Sequence, residues 1–283
     1  KLGHEVEVDA NALTSHMRFA GDDATRLAAI HRAASSGADL ALISRGGYGL
    51  TRILPGIDYK KVTKSIEKGT QFVGLSDFTS FQLALLAKTG GHSWAGPALG
   101  EDFGQAQSDD IMEACFDDML SGQGEGAGWR MSATCANALS HKREGVWAKD
   151  ATLWGGNLSV LVSLLGTPYF PQIKGGVLFL EDISEHPYRI ERMLNQLLHA
   201  GVLAQQKAVV LGQFTQYKLT PHDKGFKLQS VVDWLRGQIK SPVLTDLPFG
   251  HVQTKVCLPV GKNISLVVED REALILWAHD SHS

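Results

Sequence analysis

Short apolar runs alternating with helical stretches constrain this chain more than any other feature. Ala38 to Ser44 (ADLALIS), Gly69 to Leu75 (GTQFVGL), Gly175 to Leu180 (GGVLFL) and Ala208 to Phe214 each read as a short buried strand. Between them, Asp22 to Ser36 carries apolar residues at helical spacing (Leu27, Ile30, Ala33, Ala34), and Phe78 to Lys88 is a long apolar helix. Ile190 to Ala200 is amphipathic, and Leu228 to Ile239 also reads as a helix. Strands alternating with helices in this way predict an α/β fold, a parallel sheet with helices on both faces.

At roughly 100 to 200 residues per domain, 283 residues accommodate two domains. The Gly-rich stretch GQGEGAG, Gly122 to Gly128, reads as a linker. It is not a dinucleotide fingerprint, because Ala127 and Trp129 stand where glycines are needed and no strand is expected before it. The expected division is therefore an N-terminal domain over 1–120, a linker region over 121–150 and a second α/β domain over 151–283. Leu153 to Gly166 reads as a helix entered through WGGN. KLGHEVEVDA at the start reads as the tail of a helix running into a strand, so a further segment is expected upstream.

Charge and composition narrow the partners. With 27 Lys+Arg against 30 Asp+Glu there is no basic footprint for nucleic acid or an anionic membrane, and no apolar run is long enough to span a bilayer. A small or neutral partner fits better. Cys115, Cys135 and Cys257 form no C-x-x-C pair and read as free, buried thiols. No H-E-x-x-H, no metal-ligand spacing and no phosphate loop is found, so neither a metal nor another cofactor is expected. His186, beside Glu185, reads as a helix boundary before it reads as a ligand.

Three positions could carry chemistry. Ser76 in GLSDF ends a buried strand and opens a helix, a setting that exposes a nucleophilic hydroxyl at a sharp turn. The second Gly of a G-x-S-x-G elbow is replaced by Phe78, and on local sequence alone the helix cap is the plainer reading of Ser76. Glu181 lies at the C-terminal end of an apolar strand, where α/β sheets place functional groups, although a solvated strand end is the plainer reading. Its neighbour Asp182 points the opposite way if the strand continues. His251, in LPFGHVQT, is a loop histidine that is either structural or catalytic.

Several blocks together resemble the murein peptide LD-carboxypeptidase family of serine peptidases. They are RGGYGLTRILPGIDY from Arg45, VGLSDFTSFQLALL from Val73, AGPAL from Ala95, TLWGGNLSVLVSLLGTPY from Thr152, LFLEDISEHPYRIERMLNQL from Leu178 and FGHVQTKVCLPVG from Phe249. The resemblance implies a flavodoxin-like (class I glutamine amidotransferase-like) N-terminal domain carrying the serine, and a second domain carrying Glu and His. It places the nucleophile on Ser76, the triad carboxylate on Glu181 and the base on His251. In the acyl transfer so implied, backbone N–H groups of Asp77 and Gly47 would meet the oxyanion. Trp154, Asn157 and Arg45 would line the substrate site, while Arg189 and Arg192 read equally as structural. The implied substrate is a murein tetrapeptide or its sugar-linked form, losing its terminal D-Ala from the L-centre of the diamino acid. Members of the family are commonly cytoplasmic homodimers. A sister activity, hydrolysis of a microcin-type peptidyl-nucleotide, would use the same triad with an aromatic platform for the base. A binding module without chemistry would leave Ser76 as a cap.

Overall fold

In the computed structural model, which describes residues 3–277, the first apolar runs become β1 (Leu40–Leu42) and β2 (Gln71–Gly74). α1 (Asp23–Ala33) precedes them and α2 (Tyr59–Glu67) joins them, each begun by an Asp carboxylate that accepts a backbone N–H. α3 (Thr79–Thr89), β3 (Ser93–Ala95) and α4 (Asp110–Ser121) follow. The second half runs β4 (Gly126–Arg130), α5 (Ala133–Leu139), β5 (Gly145–Asn157), α6 (Leu158–Ser163), β6 (Val177–Ile183), α7 (Pro187–His199) and β7 (Ala208–Thr215). It ends with α8 (Leu228–Gln238), β8 (Val243–Leu244), β9 (Leu258–Val260), β10 (Asn263–Glu269) and β11 (Glu272–Trp277).

Two sheets result, ordered β1-β2-β3-β9 and β4-β11-β10-β5-β6-β7-β8. In the smaller, β1 to β3 are parallel and β9 is antiparallel to β3. In the larger, β5 to β8 are parallel, while β4, β11 and β10 form an antiparallel flank that pairs with the first part of β5. The fold is thus a mixed α/β arrangement of two sheets. One apolar cluster runs from Val73 and Trp94 of the small sheet to Leu153 and Phe179 of the large one, and takes in Leu75 and Phe249 from the segments that follow β2 and β8. A second cluster packs α3, α6, α7 and α8 through Phe81, Leu161, Leu194 and Leu235.

Four sequence expectations are corrected. Residues 121–150 are not a linker: they hold β4, α5 and the start of β5, all part of the larger sheet. Glycine content suggests a loop there, but Ala127 and Trp129 alternate inward while Gly126, Gly128 and Arg130 stay exposed, which is the pattern of a strand against β11. The division at 151 is also too simple, because β9 leaves the C-terminal part to pair with β3. Leu153 to Asn157 is strand rather than helix: it pairs with Val177 to Glu181, and the helix begins only after Asn157 caps it by accepting the Val160 N–H. The described part of the opening segment, from residue 3 to Asp22, forms turns and one isolated bridge between His16 and Phe19, with no strand; Lys1 and Leu2 lie outside the described residues. The three cysteines are free, Cys135 and Cys257 buried and Cys115 half-buried. Among the described residues no helix is long and apolar enough to cross a membrane.

Candidate active site

β2 delivers the chain into an elbow at Ser76, whose φ is +63°, a left-handed conformation that costs an L-residue about 1–3 kcal/mol. Ser76 stands at neither N-cap position: the short turn Ser76–Phe78 starts from Leu75, and α3 starts from Phe78. The RGGYG turn packs directly on this elbow: a Cβ at Gly46 would lie 2.7 Å from the Ser76 Cβ and 2.7 Å from the Leu75 carbonyl oxygen. The buried Asp77 carboxylate stitches the two together, accepting the Gly49 and Leu50 N–H groups at 2.8 Å each. Burial pushes the Asp77 carboxyl up from the usual range despite these two bonds.

Glu181 and His251 meet across the large sheet. His251 Nδ1 lies 2.8 Å from Glu181 Oε2, and Glu181 is fully buried. The other oxygen, Oε1, accepts from Asn157 Nδ2 at 3.1 Å, because the β5–β6 register sets Asn157 beside Glu181. Pairing of β6 with β7 steps from Leu180↔Leu211 to Asp182↔Phe214, so β7 carries an extra residue opposite Glu181. Asn157 Nδ2 also donates to the neighbouring Asp182, at Oδ1, 3.0 Å away. Asp182 further accepts the Ser159 N–H at 2.8 Å. Burial, then the charge of Glu181, pushes the Asp182 carboxyl up. For His251, burial pulls the imidazole pKa down, but the hydrogen bond and charge of Glu181 outweigh it and the net direction is up from 6.5.

The elbow and the Glu–His pair are linked through Asn157, whose backbone N–H donates to Thr79 Oγ1, at the start of α3, at 3.0 Å. Trp154 is not a wall residue. It is fully buried, its indole N–H donates to Gln206 Oε1 at 2.9 Å, and its ring meets Phe170 edge-on. Asn157 is buried, and its side-chain amide supports the Glu181 carboxylate. Arg45 is exposed on the RGGYG turn, 3.5 Å from Glu101. Sequence reasoning misses Thr79, Ser159 and the buried pair Lys255–Asp102, joined at 2.5 Å in the segment that follows His251. A lysine inside the otherwise apolar KVCLPV stretch is the available signal for that pair. Among the described residues no group of three or more His, Cys, Asp or Glu side chains is placed to hold a metal ion.

Known family models and solved structures match most of the chain. Residues 1–96 match the LD-carboxypeptidase N-terminal domain, and residues 150–266 match the LD-carboxypeptidase C-terminal domain. A probable murein peptide carboxypeptidase of Bacillus subtilis (strain 168) is 30% identical over 277 residues, covering 97% of this chain and 83% of the relative. The crystal structure of a muramoyltetrapeptide carboxypeptidase from Oxalobacter formigenes superposes with a TM-score of 0.83 at 39% identity, covering 94% of this chain and 89% of that one. The microcin C7 self immunity protein MccF shares the fold, with a TM-score of 0.76 at 21% identity over 92% of this chain and 82% of its own.

Proposed function

We infer the reaction from the family: this chain belongs to the LD-carboxypeptidases, serine-type carboxypeptidases of murein peptides. The reaction we assign is removal of the terminal D-Ala of a murein tetrapeptide, free or sugar-linked, from the L-centre of its diamino acid. Ser76 is the nucleophile, His251 the base and Glu181 the triad carboxylate. His251 Nε2 takes the Ser76 proton as Oγ attacks the carbonyl, then returns a proton to the departing D-Ala amine. Water attacks the acyl-enzyme by the same proton path in reverse. The Asp77 and Gly47 N–H groups are the proposed donors to the oxyanion. Arg45, exposed beside the elbow, is the proposed partner of the substrate's terminal carboxylate.

The observation that carries this reading is the 2.8 Å contact between His251 Nδ1 and the fully buried Glu181. A carboxylate there holds the proton on Nδ1 and leaves Nε2 free to act as base. The uncapped, left-handed Ser76 supports the nucleophile and speaks against a binding module in which that serine is only a cap. A nucleobase-binding variant of the same chemistry needs an aromatic platform; Trp154 lies inside the core, which leaves the exposed Tyr188, next to Pro187, as the ring to test for one. The proposal keeps the flavodoxin-like reading of the N-terminal half, supported by the parallel β1-β2-β3 order, and the two-part division that sets the serine apart from Glu and His. It extends to a cytoplasmic homodimer on the strength of the resemblance alone.

Mass spectrometry of a purified murein tetrapeptide incubated with the wild-type chain and with Ser76→Ala tests the assignment. Release of D-Ala by the first and not by the second is expected. Equal release by both would remove Ser76 from the chemistry, and no release by folded wild-type protein would overturn the substrate assignment.

A further inference from the structure

Asp77 N–H, one of the two donors assigned to the oxyanion, is already engaged: it donates to the Gly46 carbonyl oxygen at 3.2 Å. In a trans peptide the carbonyl and the following N–H point in opposite directions, and among the described residues no peptide bond is cis. Gly47 N–H is therefore directed away from the Asp77 N–H. The two donors cannot converge on one oxygen in this conformation. We propose that the Gly46–Gly47 peptide turns over during the reaction, freeing the Asp77 N–H and bringing the Gly47 N–H to its side, so that the oxyanion hole is complete only in the turned-over state. This rests on the reading of Ser76 as nucleophile.

The surroundings confine the rotation to one peptide. The bond to be broken is at the long end of the N–H···O range. Beyond it the turn is pinned, because the Asp77 carboxylate holds the Gly49 and Leu50 N–H groups at 2.8 Å. Before it, Gly46 is packed against Leu75 and Ser76. Gly47 itself has negative φ, and a Cβ built there would come no nearer than 3.8 Å to another atom, the end of the Arg45 side chain. Nothing in the present conformation asks for glycine at 47. Turning the peptide over changes ψ of Gly46 and φ of Gly47 by about 180°, which takes φ of Gly47 into the positive region that glycine enters without steric cost. The missing side chain at 47 is thus accounted for by the second state.

Two variants of the full chain test this by D-Ala release, with thermal melting to establish that they fold. Gly47→Ala fits the present conformation but resists positive φ, so kcat should fall by about 10- to 10²-fold, while KM stays within about twofold. Gly47→Asn is bulkier yet tolerates positive φ better, and it should recover kcat several-fold over the alanine variant. An alanine variant with kcat within twofold of wild type would overturn the proposal. So would an asparagine variant slower than alanine, or a rise in KM at unchanged kcat, because either identifies bulk against substrate as the cause. Ser76-dependent turnover by the wild type is the separate control: if it is absent and Ser76 is inert to a fluorophosphonate, the nucleophile reading fails and this inference with it.

Discussion

Glu181→Gln is the substitution whose effect the structure specifies most closely, because Asn157 decides which way the new amide can face. Asn157 Oδ1 accepts from the Val160 N–H at 3.1 Å and from Ser159 Oγ at 2.8 Å, while Nδ2 donates to Glu181 and Asp182. Flipping it would set an NH2 against the Val160 N–H. The introduced glutamine must then turn its oxygen toward Asn157 and its NH2 toward His251 Nδ1. The imidazole is forced to accept at Nδ1 and carry its proton on Nε2, where it cannot act as base. Wrong-tautomer triads lose about 10⁴-fold in kcat, or about 5.4 kcal/mol at 1.36 kcal/mol per decade. Adding Asn157→Asp keeps the cap on Val160, offers an acceptor to the glutamine NH2 and returns the glutamine oxygen to His251. Asp182, with its carboxyl already raised, can take the proton that avoids two facing charges. The double variant should therefore recover at least about tenfold over Glu181→Gln, a departure from additivity that only contacting residues show. Steady-state kcat/KM for D-Ala release, with melting curves for each variant, is the assay. A single variant that loses less than a hundredfold, or a double variant no faster than the single, would refute the tautomer argument.

Further outcomes rest on the same contacts. Because Glu181 outweighs burial and raises the His251 pKa above 6.5, kcat/KM should decline as pH falls through a midpoint above that value, and pH–rate profiles should show the midpoint move down in Glu181→Gln. The stability sign is the reverse of the activity sign: the contribution of the His251–Glu181 ion pair is complete below pH 6.5 and fades as pH rises through the folded-state value, which melting temperatures of wild type against Glu181→Gln will register. Trp154→Ala should cost about 3–5 kcal/mol in chemical denaturation, while the milder Trp154→Phe leaves KM unchanged; a tenfold rise in KM would return Trp154 to the substrate wall. Lys255→Met leaves Asp102 buried without its cation and should destabilise by about 3–5 kcal/mol, much of it regained on adding Asp102→Asn; an unchanged denaturation midpoint in the single variant would refute the pairing.

Local pattern is enough to find most of the elements and to single out Ser76, Glu181 and His251, but not what holds those side chains. The strands are legible because β6 and β7 open on unbroken apolar runs, VLFL and AVVL, and β2 carries Phe72 and Val73 at its centre. β4 is not, because two of its residues are glycines and its meaning lies in the alternation of Ala127 and Trp129 against β11, a strand near the other end of the chain that it meets at Ala127↔Ile275. Ser76 is undecided between cap and nucleophile in the sequence for a similar reason. The elbow glycine that would mark it is Phe78, whose ring stacks on Phe81 at 4.8 Å in the core, and what separates the readings is a backbone angle with no local code. Trp154 and Asn157 come from one block, WGGN, yet one is core and the other supports Glu181, a difference set by which face of β5 each occupies.

The partners that define the site are all tertiary. Asp77 grips Gly49 and Leu50, Asn157 joins Glu181 to Asp182, and Lys255 closes on Asp102, each across tens of residues. Two of these bridges have a consequence for rigidity. Asn157 donates its backbone N–H to Thr79, three residues after Ser76, and its side-chain amide to Glu181. One residue therefore positions both ends of the proposed proton path. A change that moves β5 against α3, such as Thr79→Val, would be felt at Ser76 and His251 together even though neither is touched, so its loss should fall on kcat more than on KM.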